Sequence, residues 1–330
     1  MNIQPYLTPH KRGPLLSPSG IPGTYNALAV DCPFVFHHNN SYHMLHVGYD
    51  GLGYQTGMAH SADLLHWSSG EVLFPRGASQ EKDWEKTGIA GYWILKEHNL
   101  HSLPALKKHK GEYWMVYHSY PGTGYEEGPA KIGLAHTSDE TLTHWERLPE
   151  PILSWEDGTE WESGGLYKAC LLEEDGVFYL FYNAKNAAEP WVEQIGLATS
   201  TDLLHWQRHV DNPLLPITPN AWDSRFASDP FVVRDSNTWL MFYYGYNSRH
   251  AQDGLACSTD LLHWEKHPDP IIPYGQPGTL DATHAHKPSI VCQGGVLYHF
   301  YCAVRPIQPG DPAYGLHSEN RCITAAIQEG

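Results

Sequence analysis

Positive charge is what this chain has least of. Its 21 Lys and Arg stand against 37 Asp and Glu, a formal net charge of −16. Nucleic acid and anionic membrane surfaces, whose phosphates demand clustered cations, are therefore excluded as partners. Cysteine is also scarce. The six, Cys32, Cys170, Cys257, Cys292, Cys302 and Cys322, have no C-x-x-C spacing and fall mostly in strand-like runs, which points to buried reduced thiols rather than disulfides or zinc. No apolar run approaches a bilayer span, and no basic stretch followed by an apolar one opens the chain. The expected compartment is the cytoplasm, or the exterior if a leader has been trimmed. Non-repeating stretches are missing as well, so 330 residues, enough for two domains by length alone, are expected to form one.

What is present in quantity is repetition. The phrase Ser61-Ala62-Asp63-Leu64-Leu65-His66-Trp67 returns at Ser200–Trp206 and Ser258–Trp264, and with one extra residue at Ser138–Trp145. A Pro-rich strand follows each copy: 71–75, 150–153, 212–216 and 269–273. A fifth such strand, Gly13–Pro18, stands near the N-terminus with no phrase before it. Ahead of each phrase lie strand-like runs, read as 32–36 with 42–47, 104–106 with 113–117, 169–172 with 178–182, 230–233 with 239–243, and 288–291 with 296–301. A third strand follows each pair. A unit of about 60 residues made of short strands cannot bury its own apolar face, so copies must stack. The expectation is an all-β, five-bladed propeller over residues 1–330, with blades at about 26–75, 97–154, 162–216, 223–273 and 281–330. The last blade lacks an outer strand, which 13–18 supplies, leaving no open sheet edge. The repeated Ser-x-Asp-Leu-Leu-His-Trp reads as a turn with its Trp packed between blades, because an active site is not repeated in every unit.

Function is expected where the repeats disagree. Aligned on Pro33, Pro104, Ala169, Pro230 and Pro288, the preceding residue is Cys32, Leu103, Lys168, Asp229 or Lys287, and the one before that is Asp31, Ser102, Tyr167, Ser228 or His286. These side chains would converge at the mouth of the axis. Ionisable groups there destabilise the fold unless they pair, as a salt-bridged plug, or bind something. A second column seven residues upstream holds Asn26, Glu97, Glu162, Asp223 and Asp281, of which Glu162 and Asp223 share a Trp-acid-Ser phrase. Trp93 and other loop aromatics, among them Tyr125, Trp191 and Tyr246, are candidate sugar platforms. The long insertion 70–103 is expected to fold over one face and close one end of the pocket, making it exo-acting.

Val30-Asp31-Cys32-Pro33-Phe34-Val35 and Ala227-Ser228-Asp229-Pro230-Phe231-Val232 resemble the acid-x-Pro and Asp-Pro phrases of the five-bladed propeller glycosidases, the superfamily of families 43, 32, 68, 117 and 130. The resemblance spans nearly the whole chain, and His284-Ala285-His286 is similar to the histidine region of family 117. It implies a glycoside hydrolase acting on a small carbohydrate of furanoside or related type. Asp31 would be the base, Asp229 the carboxylate that holds hydroxyls or tunes the acid, and Glu162 or His286 the acid. Tyr167, Lys168, Lys287, Ser102, Trp93 and Asp223 would bind substrate. No organic cofactor is expected, and an axial ion such as calcium stays open. So do two alternatives, a phosphorylase using inorganic phosphate beside Lys168 and Lys287, and a non-catalytic sugar-binding propeller.

Overall fold

The computed structural model describes residues 3–75 and 83–328. Strands run up and down in five successive antiparallel units. Their leading strands are Ala29–His38, Gly88–Ile94, Gly165–Glu174, Phe226–Asp235 and His284–Gln293. Each leading strand pairs with the next strand in sequence, and that one with a third. In units two to four the fourth strand is reduced to a two-residue ladder, then a single bridge through Leu153, Leu215 or Ile272. Pro151, Pro213 and Pro270 lie in these segments, where a missing N–H breaks the ladder. In unit five the same place is taken by the N-terminus. His10–Lys11 pairs with the strand Glu319–Ile327, and Leu16 bridges Ile323.

Units one and five also meet directly. The Val35 N–H donates to Ser289 Oγ, and Lys287 and Arg321 reach Asp31. The repeated phrase forms a turn as its residue types dictate. Ser200 Oγ accepts the Leu203 N–H and Asp202 Oδ1 accepts the N–H groups of Leu204 and His205. Trp206 Nε1 closes the turn on the Leu203 carbonyl. The tryptophans pack across units, Trp67 on Phe300, Trp145 on Phe74 and Trp264 on Phe181. All six cysteines are unpaired. Among the described residues no helix is long and apolar enough to cross a membrane.

The second unit departs from the expectation. Its leading strand is Gly88–Ile94, inside what reads as an insertion, while 104–106 makes only isolated bridges, Ala105 to His37 and Leu106 to Lys96. The stretch 70–103 is therefore mostly part of the units and not a lid; 76–82 lies outside the described residues. The cause is composition. Gly-Ile-Ala-Gly-Tyr-Trp-Ile lacks the acid-Pro phrase that marks other units, and Pro104 supplied a false alignment point.

Candidate active site

Each leading strand carries a bulge near its start, between Asp31 and Phe34, Gly91 and Trp93, Tyr167 and Ala169, Ser228 and Phe231, and His286 and Ser289. A bulge re-aims one side chain out of the pleat. In four units the re-aimed residue has left-handed backbone: Cys32 at φ 56°, Lys168 at 21°, Asp229 at 54° and Lys287 at 69°. Such conformations in non-glycine residues are costly and cluster at functional sites. Two ion pairs result between neighbouring units. Lys168 Nζ lies 2.7 Å from Asp229 Oδ2, and Lys287 Nζ 2.7 Å from Asp31 Oδ2.

Asp31 is saturated. Its Oδ2 also accepts from Arg321 Nη1 at 2.9 Å and the Tyr125 hydroxyl at 3.1 Å, and Oδ1 takes the Cys32 N–H. Burial opposes its charge, but Lys287, Arg321 and Lys168 outweigh burial and hold the carboxyl well below the usual range. Lys168 is held cationic by Asp229 against the effect of burial. Tyr125 covers Asp31, which is 1% exposed. Asp31 thus lies beneath Tyr125 and is not among the residues that line the site.

Above Asp31 opens a cavity of about 630 Å³, lined by Tyr167, Lys168 and Asp229 from the leading strands. Four further carboxyl groups line it, and two of them, Glu126 and Glu193, reach into the network below. Glu126 sits at φ 56° in the glycine-bracketed turn joining the second and third strands of unit two, and Glu193 opens the third strand of unit three. These connections lie at the same end as the starts of the leading strands, because successive strands are antiparallel. Glu126 Oε1 accepts from the Tyr54 hydroxyl at 3.0 Å and lies 3.7 Å from Lys287 Nζ. Burial alone would raise its pKa; Lys287 and Lys168 reverse the sign and keep it ionised. Glu193 behaves oppositely. Burial, then the charge of Glu126, pushes its carboxyl up to about 7, although Ser228 Oγ at 2.8 Å and Trp191 Nε1 at 3.2 Å donate to it.

A second lobe of about 240 Å³ shares Tyr125, Glu126, Trp191 and Tyr244 with the first. It adds Arg225, His284, His286, Lys287 and Arg321. Trp191 and Tyr125 line both lobes and Tyr246 lines the second.

Several expected site residues lie elsewhere. Ser102 sits in a turn at the opposite end, where Asn99 bridges Arg234 near the far end of a leading strand. Its equivalent in the site is Gly91. Trp93 is 1% exposed, wedged between Phe34 at 4.7 Å and Phe231 at 4.8 Å, so it is core and not platform. His286 lines the second lobe. Burial, then Lys287 and Arg321, keep it neutral; Nδ1 is satisfied by the Cys302 carbonyl at 3.1 Å and Nε2 faces Arg321.

Glu162 and Asp223 are structural for a reason the repeats reveal. Glu162 pairs with Arg208 at 2.9 Å and accepts from the Tyr182 hydroxyl. Asp223 does the same with Lys266 and Tyr243, and Asp281 with Lys11 and Tyr301. In unit two the acid is Glu85, with Arg147 and Tyr117, and not Glu97. One buried acid, one tyrosine and one cation from the outer strand tie each of these four units. We expect Glu162→Ala to destabilise by about 3–5 kcal/mol, the cost of stripping one partner from a buried ion pair, with turnover per folded molecule retained. Denaturant titration beside an activity assay checks both.

Asp31, His286 and Cys302 place three donor atoms within 4.8 Å of one another. They do not suit calcium, because Lys287 and Arg321 already bring two positive charges to the same carboxylate oxygen, and a thiol is a soft ligand.

The chain is similar to known carbohydrate-active proteins. It is 32% identical over 134 residues to the beta-1,2-mannobiose phosphorylase of Thermoanaerobacter sp. (strain X514), covering 36% of this chain and 43% of that protein. It is 29% identical over 165 residues to the sucrose-6-phosphate hydrolase of Zymomonas mobilis subsp. mobilis (strain ATCC 31821 / ZM4 / CP4), covering 47% and 30%. It thus spans less than half the length of either curated relative. A solved structure described as a glycoside hydrolase superposes with a TM-score of 0.81 and 27% identity, over 98% of this chain and 92% of that protein. The family model for the glycosyl hydrolases family 32 N-terminal domain matches residues 103–279, more than half of the sequence. The chain belongs to that family and, with it, to the propeller glycoside hydrolases.

Proposed function

We propose that the chain is a glycosidase built on a single five-bladed propeller, closed by the N-terminal strand, that cleaves a glycosidic bond where the two lobes of the cavity meet. The observation that carries this reading is a pair of carboxyl groups on one cavity with opposite displacements. Glu193 is pushed up to about 7 and Glu126 is held ionised beside Lys287. Glycoside cleavage needs this inequality, a protonated group for the departing oxygen and an ionised one to activate water or attack the anomeric carbon. Glu193 is the proton donor and Glu126 the ionised partner. Asp229, Lys168 and Tyr167 bind sugar hydroxyls in the larger lobe, while Asp31 fixes Lys287, which in turn keeps Glu126 charged.

The pH profile tests the assignment. The kcat/KM of the free enzyme should fall on the basic side with an apparent midpoint near 7, as Glu193 loses its proton. It should fall on the acid side below the ordinary glutamate range, as Glu126 gains one. Glu193→Gln should abolish the basic limb in whatever activity is left. A basic limb that persists in the variant rejects Glu193 as the donor.

A phosphorylase is the second reading, supported by the mannobiose phosphorylase relative and by Lys168 and Lys287 beside the cavity. Inorganic phosphate would then replace water as the attacking group, and turnover would depend on its concentration.

A further inference from the structure

The two lobes differ in charge. The larger is lined by five carboxyl groups, those of Glu126, Glu127, Glu189, Glu193 and Asp229, against the cations Lys168 and Lys185. The smaller reverses this, with Arg225, Lys287 and Arg321 against Glu126 alone. Lys287 and Arg321 are committed to Asp31, and Arg321 also to Glu319. Arg225 is different. Its guanidinium carbon lies 4.8 Å from the Trp191 ring centre and 5.3 Å from that of Phe226, its Nε donates to the Trp191 carbonyl, and Nη1 reaches only Ser248 Oγ, at 3.5 Å. Among the described residues no carboxylate pairs with it. His284 stands in the same lobe. Its Nδ1 accepts the Ala251 N–H at 3.0 Å, so the neutral ring carries its proton on Nε2 as a donor.

A guanidinium lying over two aromatic rings, with a ring N–H in the same lobe and no carboxylate paired to it, is a receptor for a planar or tetrahedral oxyanion. We infer that the smaller lobe binds an acidic group, a carboxylate or a phosphate, on the sugar that leaves. The inference rests on the glycosidase reading for the direction of cleavage. The larger lobe, rich in carboxyl groups that accept from hydroxyls, holds the sugar whose anomeric carbon reacts. Glu126 and Trp191 stand at the junction, and Trp191 Nε1 donates to Glu193. Arg225 is thus a specificity-determining residue for the leaving group.

Binding measured apart from turnover separates this inference from the reading beneath it. Isothermal titration of the full chain would use glucuronate, galacturonate, glucose 6-phosphate and inorganic phosphate, with glucose and galactose as neutral matches. The wild type should bind at least one anionic probe about tenfold more tightly than its neutral match, as one charge-assisted contact allows. Arg225→Gln, its fold verified by thermal unfolding, should reduce that margin to about twofold, and Arg225→Lys should restore part of it. Preference for a uronate or a sugar phosphate says which acidic sugar leaves; tight binding of inorganic phosphate alone, lost in Arg225→Gln, overturns a sugar-borne anion. Equal affinity of the wild type for acidic and neutral sugars, or a preference intact in Arg225→Gln, overturns the inference too. Glu193→Gln should keep the preference. If it does while turnover is unaffected, the glycosidase assignment fails and the anion site stands.

Discussion

Replacing Glu193 with glutamine should lower turnover of an unactivated glycoside by about 10²- to 10⁴-fold, the range that a positioned general acid supplies. Glutamine keeps the volume; its carbonyl oxygen can accept from Trp191 while its amide N–H donates to Ser228 Oγ, so the pocket is preserved and only the transferable proton is lost. Stability should move the other way. A carboxyl whose folded pKa is raised favours the folded state fully below its unfolded value near 4.5, and that contribution is lost as pH rises through about 7. Above pH 7 the wild type therefore carries a cost that the glutamine variant lacks. Unfolding titrations at pH 5 and pH 8 should show the variant gaining relative to wild type at the higher pH. A variant both inactive and destabilised at pH 8 would mark Glu193 as a structural carboxylate instead.

Asp31→Ala is expected to destabilise the fold by about 3–5 kcal/mol, the range for removing one partner from a buried charge cluster. Lys287 is 4% and Arg321 7% exposed, and Asp31 Oδ2 accepts from both; without it two buried cations repel each other. The contact also joins the first unit to the last, so its loss falls on the junction between them. The pH dependence has the opposite sign to that of Glu193. A depressed carboxyl contributes stability that is fully present above its unfolded pKa near 4 and lost as pH falls through the lower folded value. The gap between wild type and variant should therefore narrow as pH drops from 6 toward 3 in denaturant titrations. A gap below about 1 kcal/mol at pH 6 would mean the cations find other partners, and the floor of the site would need redrawing.

The repeats made the strands legible in the sequence, because a period imposed by stacking leaves its apolar and turn residues in register. The same regularity led the second unit astray. Its leading strand carries Gly91 and Tyr92 where other units have acid, lysine or proline, and only Trp84-Glu85, matching Trp161-Glu162 and Trp222-Asp223, betrays its start. Asp31, Tyr167, Lys168, Asp229, His286 and Lys287 were legible as a group because they sit at the bulged starts of the leading strands, which meet one another through ion pairs. Their roles were not, since pairing depends on which neighbour a side chain reaches. Glu162 reads like Glu193 in sequence; one is locked to Arg208 and Tyr182, the other stands beside Glu126 in a cavity. Glu126 and Glu193 lie in connections between second and third strands, outside any repeated phrase. The signal that would have found them is topological: those connections open on the same end as the starts of the leading strands.

If Glu193 protonates a departing glycosidic oxygen, the effect of replacing it must depend on how good the leaving group is. Sugar release would be followed for wild type and Glu193→Gln on a panel of aryl glycosides and matched oligosaccharides, with and without phosphate. The wild type should release at least one sugar, with a loss in the variant that is large for oligosaccharides and shrinks toward nothing as the aryl group becomes a better leaving group. An equal loss across all leaving groups, or none, would contradict that role of Glu193.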